Sequence, residues 1–289
     1  MDKPYQRLLT ALIGLPVLFL ICYFGGFWFL IFVLIIILFC LLELLKILEK
    51  KEYTDNKYLI IFSSLVLAIS AYVDYLYMGI VFTAVVVLVL IVNLKHEDSK
   101  EVIHRLGVGI FAITYIGWFL SHAILIRNIS QNSGIGMYAQ TAQGLSDPGF
   151  FYIILVFACT FLNDTGAYYI WKWKGSRKLS PRISPEKTVE GTVAGIIAAI
   201  IGGEIVNLIF KSPLQLPWVF ILSLIIAFAA ICGDLLESMI KRSAEIKDTG
   251  SILPGHGGVL DRFDSLILAF PVSYYLILFY YYLKGVEIF

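Results

Sequence analysis

The chain has 289 residues, 59% of them apolar and only 15% charged, with a mean hydropathy of +0.85. Soluble domains run at roughly 45–50% apolar and about 25% charged, and a soluble fold of this length would leave more apolar surface than its core could hide, so the composition reads as a polytopic membrane protein. Twenty-two basic residues against 21 acidic ones give a net charge of +1, which excludes a general polyanion binder and makes nucleic acid an unsuitable partner.

A spanning helix needs about 20 mostly apolar residues. Nine segments approach that length: about 8–24, 28–46, 58–74, 78–94, 106–126, 149–171, 192–210, 216–238 and 265–283. The runs are long and lack period-two alternation, which favours helices over barrel strands. The expected fold class is therefore all-α, with about nine transmembrane helices, and the carboxylates lying within the last spans add the expectation of a cytoplasm-facing polar cavity in the C-terminal half. Residues 1–148 would form an N-terminal set of about five spans, and 149–289 a catalytic region of about four. Lys3 and Arg7 precede the first run as in a secretory signal, but no small-x-small cleavage site follows, so this run is read as a retained anchor. Gly14 and Pro16 predict a kink within it. The third and fourth spans meet tightly around Asp74–Tyr77. Cys22, Cys40, Cys159 and Cys232 all fall in apolar runs without metal or redox spacing, and read as buried, inert thiols.

Lys and Arg divide sharply between alternate loops. The N-terminus and the loops 47–57, 95–105, 172–191 and 239–264, with Lys46 at a span edge, hold nineteen of the 22, while the other side has only Arg127, Lys211 and Lys284. This bias puts the N-terminus and the basic loops in the cytoplasm. The opposite loop, 127–148, is rich in Ser, Gln, Asn and Gly and reads as a short ordered cap or a flexible connection, the plain connection being preferred, with no chemical site.

Carboxylates inside spans are costly and mark wet cavities or bundle interiors. Asp164, Glu204, Asp234 and Glu237 qualify, while Glu43 and Asp74 lie close enough to span ends to reach the interface. Glu204 either lines the same cavity or bonds a neighbouring helix, the second being the preferred reading. Asp164 belongs to an Asn-Asp-Thr-Gly stretch near a cytoplasmic helix end, which admits either an interhelical polar contact or a metal or phosphate site. After it, Lys172, Lys174, Arg177, Lys178, Arg182 and Lys187 crowd into sixteen positions. Such a cluster serves as a positive-inside anchor touching anionic headgroups. The steps Ser180-Pro181 and Ser184-Pro185 give it the character of a shaped loop, which suits an anionic phosphate substrate.

Residues 233–265 are the richest stretch. On a helix, Asp234, Glu237, Ser238 and Lys241 share one face, acidic within the bilayer and basic at its edge. A turn-rich Pro254-Gly255-His256-Gly257-Gly258 follows, then Asp261-Arg262-Phe263-Asp264, with Asp261 and Asp264 one helical turn apart. His256 suits a proton donor, a phosphate contact or a plain turn residue. Hard oxygen donors without clustered His or Cys favour Mg²⁺, which takes one or two carboxylates plus substrate phosphates. Asp234 and Asp261 would suffice, supported by Asp264 and Asp164. The residues thus point to metal-assisted phosphoryl or nucleotidyl transfer at the cytoplasmic membrane face.

On these residues the chain resembles the phosphatidate cytidylyltransferase family (CDP-diacylglycerol synthases). The family's C-terminal signature is met without a gap by Ser238, Lys241-Arg242, Lys247-Asp248, Gly250, Leu253 to Gly258 and Asp261-Arg262-Phe263-Asp264. Its second block is met by Asp164, Ala167, Tyr168 and Ser184 to Gly191. Together these blocks cover about a fifth of the chain; the first 160 residues resemble the family only as hydrophobic spans. Two positions depart from the pattern: Glu186 replaces a Lys before Lys187, and Trp171 stands where a Gly opens the connection.

The resemblance implies that CTP and phosphatidate give CDP-diacylglycerol and pyrophosphate, with Mg²⁺ held by Asp234 and Asp261 and helped by Asp264 and Asp164. The family is associated with a second, monovalent cation such as K⁺. Lys187, Lys241, Arg242, Arg262 and His256 would contact CTP or lipid phosphates, with hydrogen bonds from Ser184 and Thr188. Membrane lipid is a partner by location, a bacterial plasma membrane is the expected compartment, and a homodimer is left open.

Overall fold

The computed structural model describes residues 4–49, 56–94, 102–131, 133–142, 147–211, 214–246, 248–250 and 257–286. They form two compact units, one of residues 1–125 with 241–263, the other of 126–240 with 264–289. Each is almost wholly helical.

In the first unit, α1 (Pro4–Phe24) and α2 (Gly26–Glu49) are joined at Gly25 and Gly26. Both glycines have positive φ, 59° and 52°, a backbone state that would strain a side chain. Pro16 lies within α1 without ending it. The tight junction expected around residue 74 is a single residue: α3 (Lys57–Val73) ends, Asp74 is extended, and α4 (Tyr75–Asn93) begins with the Asp74 carboxylate accepting from Leu76 N at 2.7 Å. The fifth predicted span is α5 (Val102–Ala112), a π-helical turn at Ile113–Trp118, and α6 (Phe119–Arg127), whose last two residues belong to the second unit. Gly117 in the π turn lies against α3, where an added Cβ would be 2.7 Å from the Ser64 side chain. Ile37, Leu41, Leu67, Met78 and Ile116 are buried in the core of this unit.

The second unit opens with a 3₁₀ turn, Ile129–Gln131, and α7 (Ser133–Ala142). Residues 127–148 are thus not the plain connection expected. Ile135 and Ala139, four residues apart, are fully buried and hold the helix down through tertiary packing despite its Ser/Gly-rich sequence. Asp147 then caps α8 (Pro148–Lys174), accepting from Phe150 N at 3.0 Å, and pairs with the buried Arg127 at 2.8 Å.

A small antiparallel hairpin, β1 (Lys178–Ser180) and β2 (Ser184–Thr188), gives the basic loop the shaped character its Ser-Pro steps predict. It is the one sheet among the described residues. Next come α9 (Val189–Ile209), α10 (Leu216–Ser243) and α11 (Leu260–Leu283).

Helices α8 and α9 pack closely because α9 turns small residues toward α8. A Cβ added at Gly191 would be 2.9 Å from Ala167 O, and one at Gly195 would be 2.6 Å from Asn163 O. Small residues at this spacing let spanning helices approach, since lipid offers little hydrophobic drive to bring them together. Val193, Ile197, Ile201 and Ile205 line a different, exposed face of α9, an apolar stripe suited to lipid.

Among the described residues, seven helical segments are long and apolar enough to cross a membrane: Gly26–Glu49, Tyr75–Asn93, Val102–Arg127, Pro148–Lys174, Val189–Ile209, Leu216–Ser243 and Leu260–Leu283. Leu12–Phe24 and Lys57–Val73 are shorter apolar helices. The chain is an integral membrane protein.

One expectation is corrected. Cys22, Cys40 and Cys159 are buried, but Cys232 is exposed on α10, because apolarity inside a span does not distinguish the packed face from the outer one. Glu43, near the end of α2, is buried within the protein.

Candidate functional site

In the second unit, the last turns of α8, the hairpin, the start of α9 and the middle of α10 enclose a cavity of about 280 Å³. Asn163, Asp164, Tyr168 and Trp171 line it from α8, Ser184, Glu186, Lys187 and Thr188 from β2, and Asp234 from α10. The period of α8 explains the first set: 164, 168 and 171 follow one another at four and three residues and share a face. Asp234 is brought in by Gly233, whose neighbours on α11 are backbone; an added Cβ there would be 2.5 Å from Asp264 O.

The charges balance only in part. Lys187 Nζ pairs with Asp234 Oδ2 at 2.6 Å, both side chains being partly buried. Asp234 acts electrostatically on both Asp164 and Asp264, and Lys187 on Asp164, so the one lysine faces more than one carboxylate. Asn163 Nδ2 donates to Asp164 Oδ1 at 3.3 Å, whereas Asn163 Oδ1 is buried without a hydrogen-bond partner among the described residues. An orphaned buried acceptor beside carboxylates suits a cation or its water. This all-oxygen donor set fits Mg²⁺, which needs only one or two protein carboxylates. No group of three His, Cys, Asp or Glu side chains among the described residues could hold an ion alone.

The remaining predicted residues lie elsewhere. Thr188 Oγ1 accepts from Gly191 N at 3.1 Å as the N-cap of α9, and the residue is buried. Its hydroxyl therefore has a structural task at the cavity wall. Asp264 lies on α11 with its carboxylate accepting from Ser265 N at 2.7 Å; it is absent from the lining of the cavity, and its backbone oxygen faces Gly233, the neighbour of Asp234. Arg242 and Arg262 are exposed. In the first unit, Lys241 Nζ donates to Asp261 Oδ1 at 3.0 Å, and Asp261 Oδ2 accepts from Thr249 N at 3.1 Å and Gly258 N at 2.9 Å. His256, Lys247 and Leu253 to Gly255 lie outside the described residues.

Two departures from the family pattern fall on the cavity. Trp171 continues α8 instead of opening a loop and sits 5.8 Å from the Tyr168 ring, giving an aromatic wall. Glu186 adds an exposed carboxylate at the hairpin side.

Sequence reasoning gave no role to three residues that build these sites. Asn163 was legible only as the polar neighbour of Asp164. Glu190 accepts from Ser176 Oγ at 2.7 Å and from Arg177 N at 3.2 Å, tying the end of α8 to α9; its place in the signature was the signal. Glu43 is the third, a buried carboxylate on α2 that accepts from Val259 N and Leu260 N. Glu204 Oε2 has no hydrogen-bond partner among the described residues, so the expected interhelical bond is not formed there.

The fold and this cavity define a polytopic membrane protein carrying a lysine–carboxylate site between its helices. The sequence model described as the cytidylyltransferase family matches residues 5–280. A phosphatidate cytidylyltransferase of Synechocystis is 30% identical over 295 residues, covering 95% of this chain and 96% of the relative. One from Staphylococcus epidermidis is 30% identical over 92% of this chain and 96% of its own length, and one from Brucella suis is 42% identical over 44% of the chain and 46% of its own. The chain belongs to the cytidylyltransferase family and is a CTP-using nucleotidyltransferase.

Proposed function

We propose that the protein is a phosphatidate cytidylyltransferase, transferring CMP from CTP to phosphatidate to give CDP-diacylglycerol and pyrophosphate. The observation that carries this reading is the Lys187–Asp234 pair in a cavity that also presents Asp164 and the orphaned Asn163 Oδ1. The relatives' shared activity supports the choice of substrates.

In this reaction a phosphatidate oxygen attacks the α-phosphorus of CTP in line. The new O–P bond forms as the α–β phosphoanhydride bond breaks, and pyrophosphate leaves with the bonding pair. The attacking oxygen is already anionic, so no strong general base is required; positioning and charge neutralisation lower the barrier. Lys187 neutralises a phosphate oxygen when released from Asp234, and Lys241, Arg242 and Arg262 serve the same end. Ser184 donates a hydrogen bond at the cavity wall, and Thr188 keeps the α9 N-terminus formed. Asp234 and Asp261 would hold the metal, assisted by Asp264 and Asp164. Mg²⁺, when bound, would supply positive charge to offset that of the triphosphate, and a monovalent cation such as K⁺ would serve as a second ion. His256 contacts phosphate. The concentration of Lys and Arg in these loops supports a site on the cytoplasmic face of a bacterial plasma membrane, where a water-soluble nucleotide would meet a bilayer-bound phosphate.

The test uses purified protein in detergent–phospholipid micelles, with phosphatidate, polyprenyl phosphate and an ether-lipid phosphate offered in turn. CTP, ATP and GTP are compared, with and without EDTA. EDTA-sensitive transfer from CTP to phosphatidate in preference to the other acceptors is the expected result. Preference for another lipid phosphate overturns the substrate assignment.

A further inference from the structure

Glu43 lies within an apolar helix, α2, and is 1% exposed. A carboxylate placed there is costly unless its oxygens are satisfied. Three donors satisfy it, all from the signature segment more than two hundred residues away. Oε1 accepts from Val259 N at 3.0 Å, and Oε2 accepts from Leu260 N at 2.8 Å and Thr249 Oγ1 at 3.1 Å. The two backbone N–H groups belong to the start of α11, where donors lack intrahelical acceptors and negative charge is favoured. Glu43 therefore caps α11 from another helix.

The same carboxylate explains two glycines of the signature. A Cβ at Gly250 would be 2.5 Å from Glu43 Oε1, and one at Gly258 would be 2.6 Å from Oε2 and 3.0 Å from Asp261 Oδ2. Thr249 and Gly258 are thus clamped between two acids. Thr249 gives its hydroxyl to Glu43 and its N–H to Asp261. Gly258 lies against Glu43 and gives its N–H to Asp261. The groups that orient the Asp261 carboxylate are those Glu43 holds in place.

We infer that Glu43 is the positioning residue for Asp261, holding Thr249 and the start of α11 so that this carboxylate is aimed for nucleotidyl transfer. The inference rests on the proposed cytidylyltransferase reaction and on the role of Asp261 in it. Gln at position 43 keeps the size but turns one oxygen into an N–H₂ group, which meets a backbone donor whichever way the amide faces.

The test compares wild type with Glu43→Gln in the micelle assay, alongside hydrogen exchange of the whole protein. Glu43→Gln should lower kcat about 30-fold or more while the KM for phosphatidate stays within about twofold, since misplacement of a catalytic group by about 1 Å costs about 100-fold. Exchange should quicken at Thr249 and Gly258–Leu260 and stay unchanged in α8 and α9. A kcat within about threefold of wild type, or unchanged exchange at those amides, overturns the inference. If Glu43→Gln does not fold, Thr249→Val removes one of the three bonds and should lower kcat by about fivefold with the same KM; an unchanged kcat overturns it. Wild type without transfer to phosphatidate counts against the proposed reaction alone, and exchange then decides whether Glu43 holds the loop.

Discussion

The close seam between α8 and α9 makes Gly195→Ala a sharp test of how the cavity is built. The new Cβ would sit 2.6 Å from Asn163 O, 2.8 Å from Asn163 Oδ1 and 3.2 Å from Ala167 Cβ. Ordinary contact begins at 3.4 Å, and the nearest atom is backbone, so the helices themselves must move apart by several tenths of an ångström. Overpacking of this kind costs about 1–3 kcal/mol. The better helix propensity of Ala returns up to about 1 kcal/mol. A net loss of about 1–2 kcal/mol is expected, read as a lower unfolding temperature in detergent. Activity should fall further than stability, because the displaced residue adjoins Asp164 at the cavity wall; a drop of at least about tenfold in kcat is expected. Gly79→Ala is the control, with no atom within 4 Å of its Cβ, and should be neutral or slightly stabilising. If Gly195→Ala keeps at least about half of wild-type kcat and its unfolding temperature, the seam does not set the cavity geometry.

Lys187→Met removes the ammonium facing Asp234 and should raise the KM for CTP by about tenfold or more, with Lys187→Arg recovering part of it; initial rates across CTP concentrations decide. Asp147→Ala removes both the α8 cap and the partner of the buried Arg127, and should cost about 2–4 kcal/mol in thermal unfolding while turnover per folded molecule is unchanged. Glu204→Gln should leave transfer rate and expression unchanged, since no hydrogen bond of Glu204 is broken among the described residues; a loss of turnover would bring Glu204 into the chemistry.

The helical spans were legible because a long apolar run has few ways to satisfy its backbone in lipid except as a helix. A tight join of the third and fourth spans was legible around residues 74–77, whereas its narrowing to Asp74 alone rests on that carboxylate capping the next helix. The acidic and basic site residues stood out because charge in a span is rare. What stayed hidden depended on partners distant in sequence. Glu43 looked like a span-end acid, since nothing near it announces Thr249 and Val259 as its donors. α7 carries Ser, Gly and Gln, and only the burial of Ile135 and Ala139 makes it a helix. Thr188 read as a phosphate donor, and nothing near it in sequence announced the second task of its hydroxyl, which accepts from Gly191 N as the cap of α9. Cys232 shows the limit of hydropathy, which does not tell a helix's packed face from its outer one.

The central claim is that CMP, with its α-phosphorus, passes to a lipid phosphate. The most direct measurement follows α-labelled and γ-labelled CTP in parallel through the purified protein with phosphatidate and Mg²⁺. The account predicts the α label in the organic phase, the γ label in aqueous pyrophosphate in equal amount, and neither product with EDTA. The γ label in the lipid, or lipid labelling that EDTA leaves untouched, would contradict it.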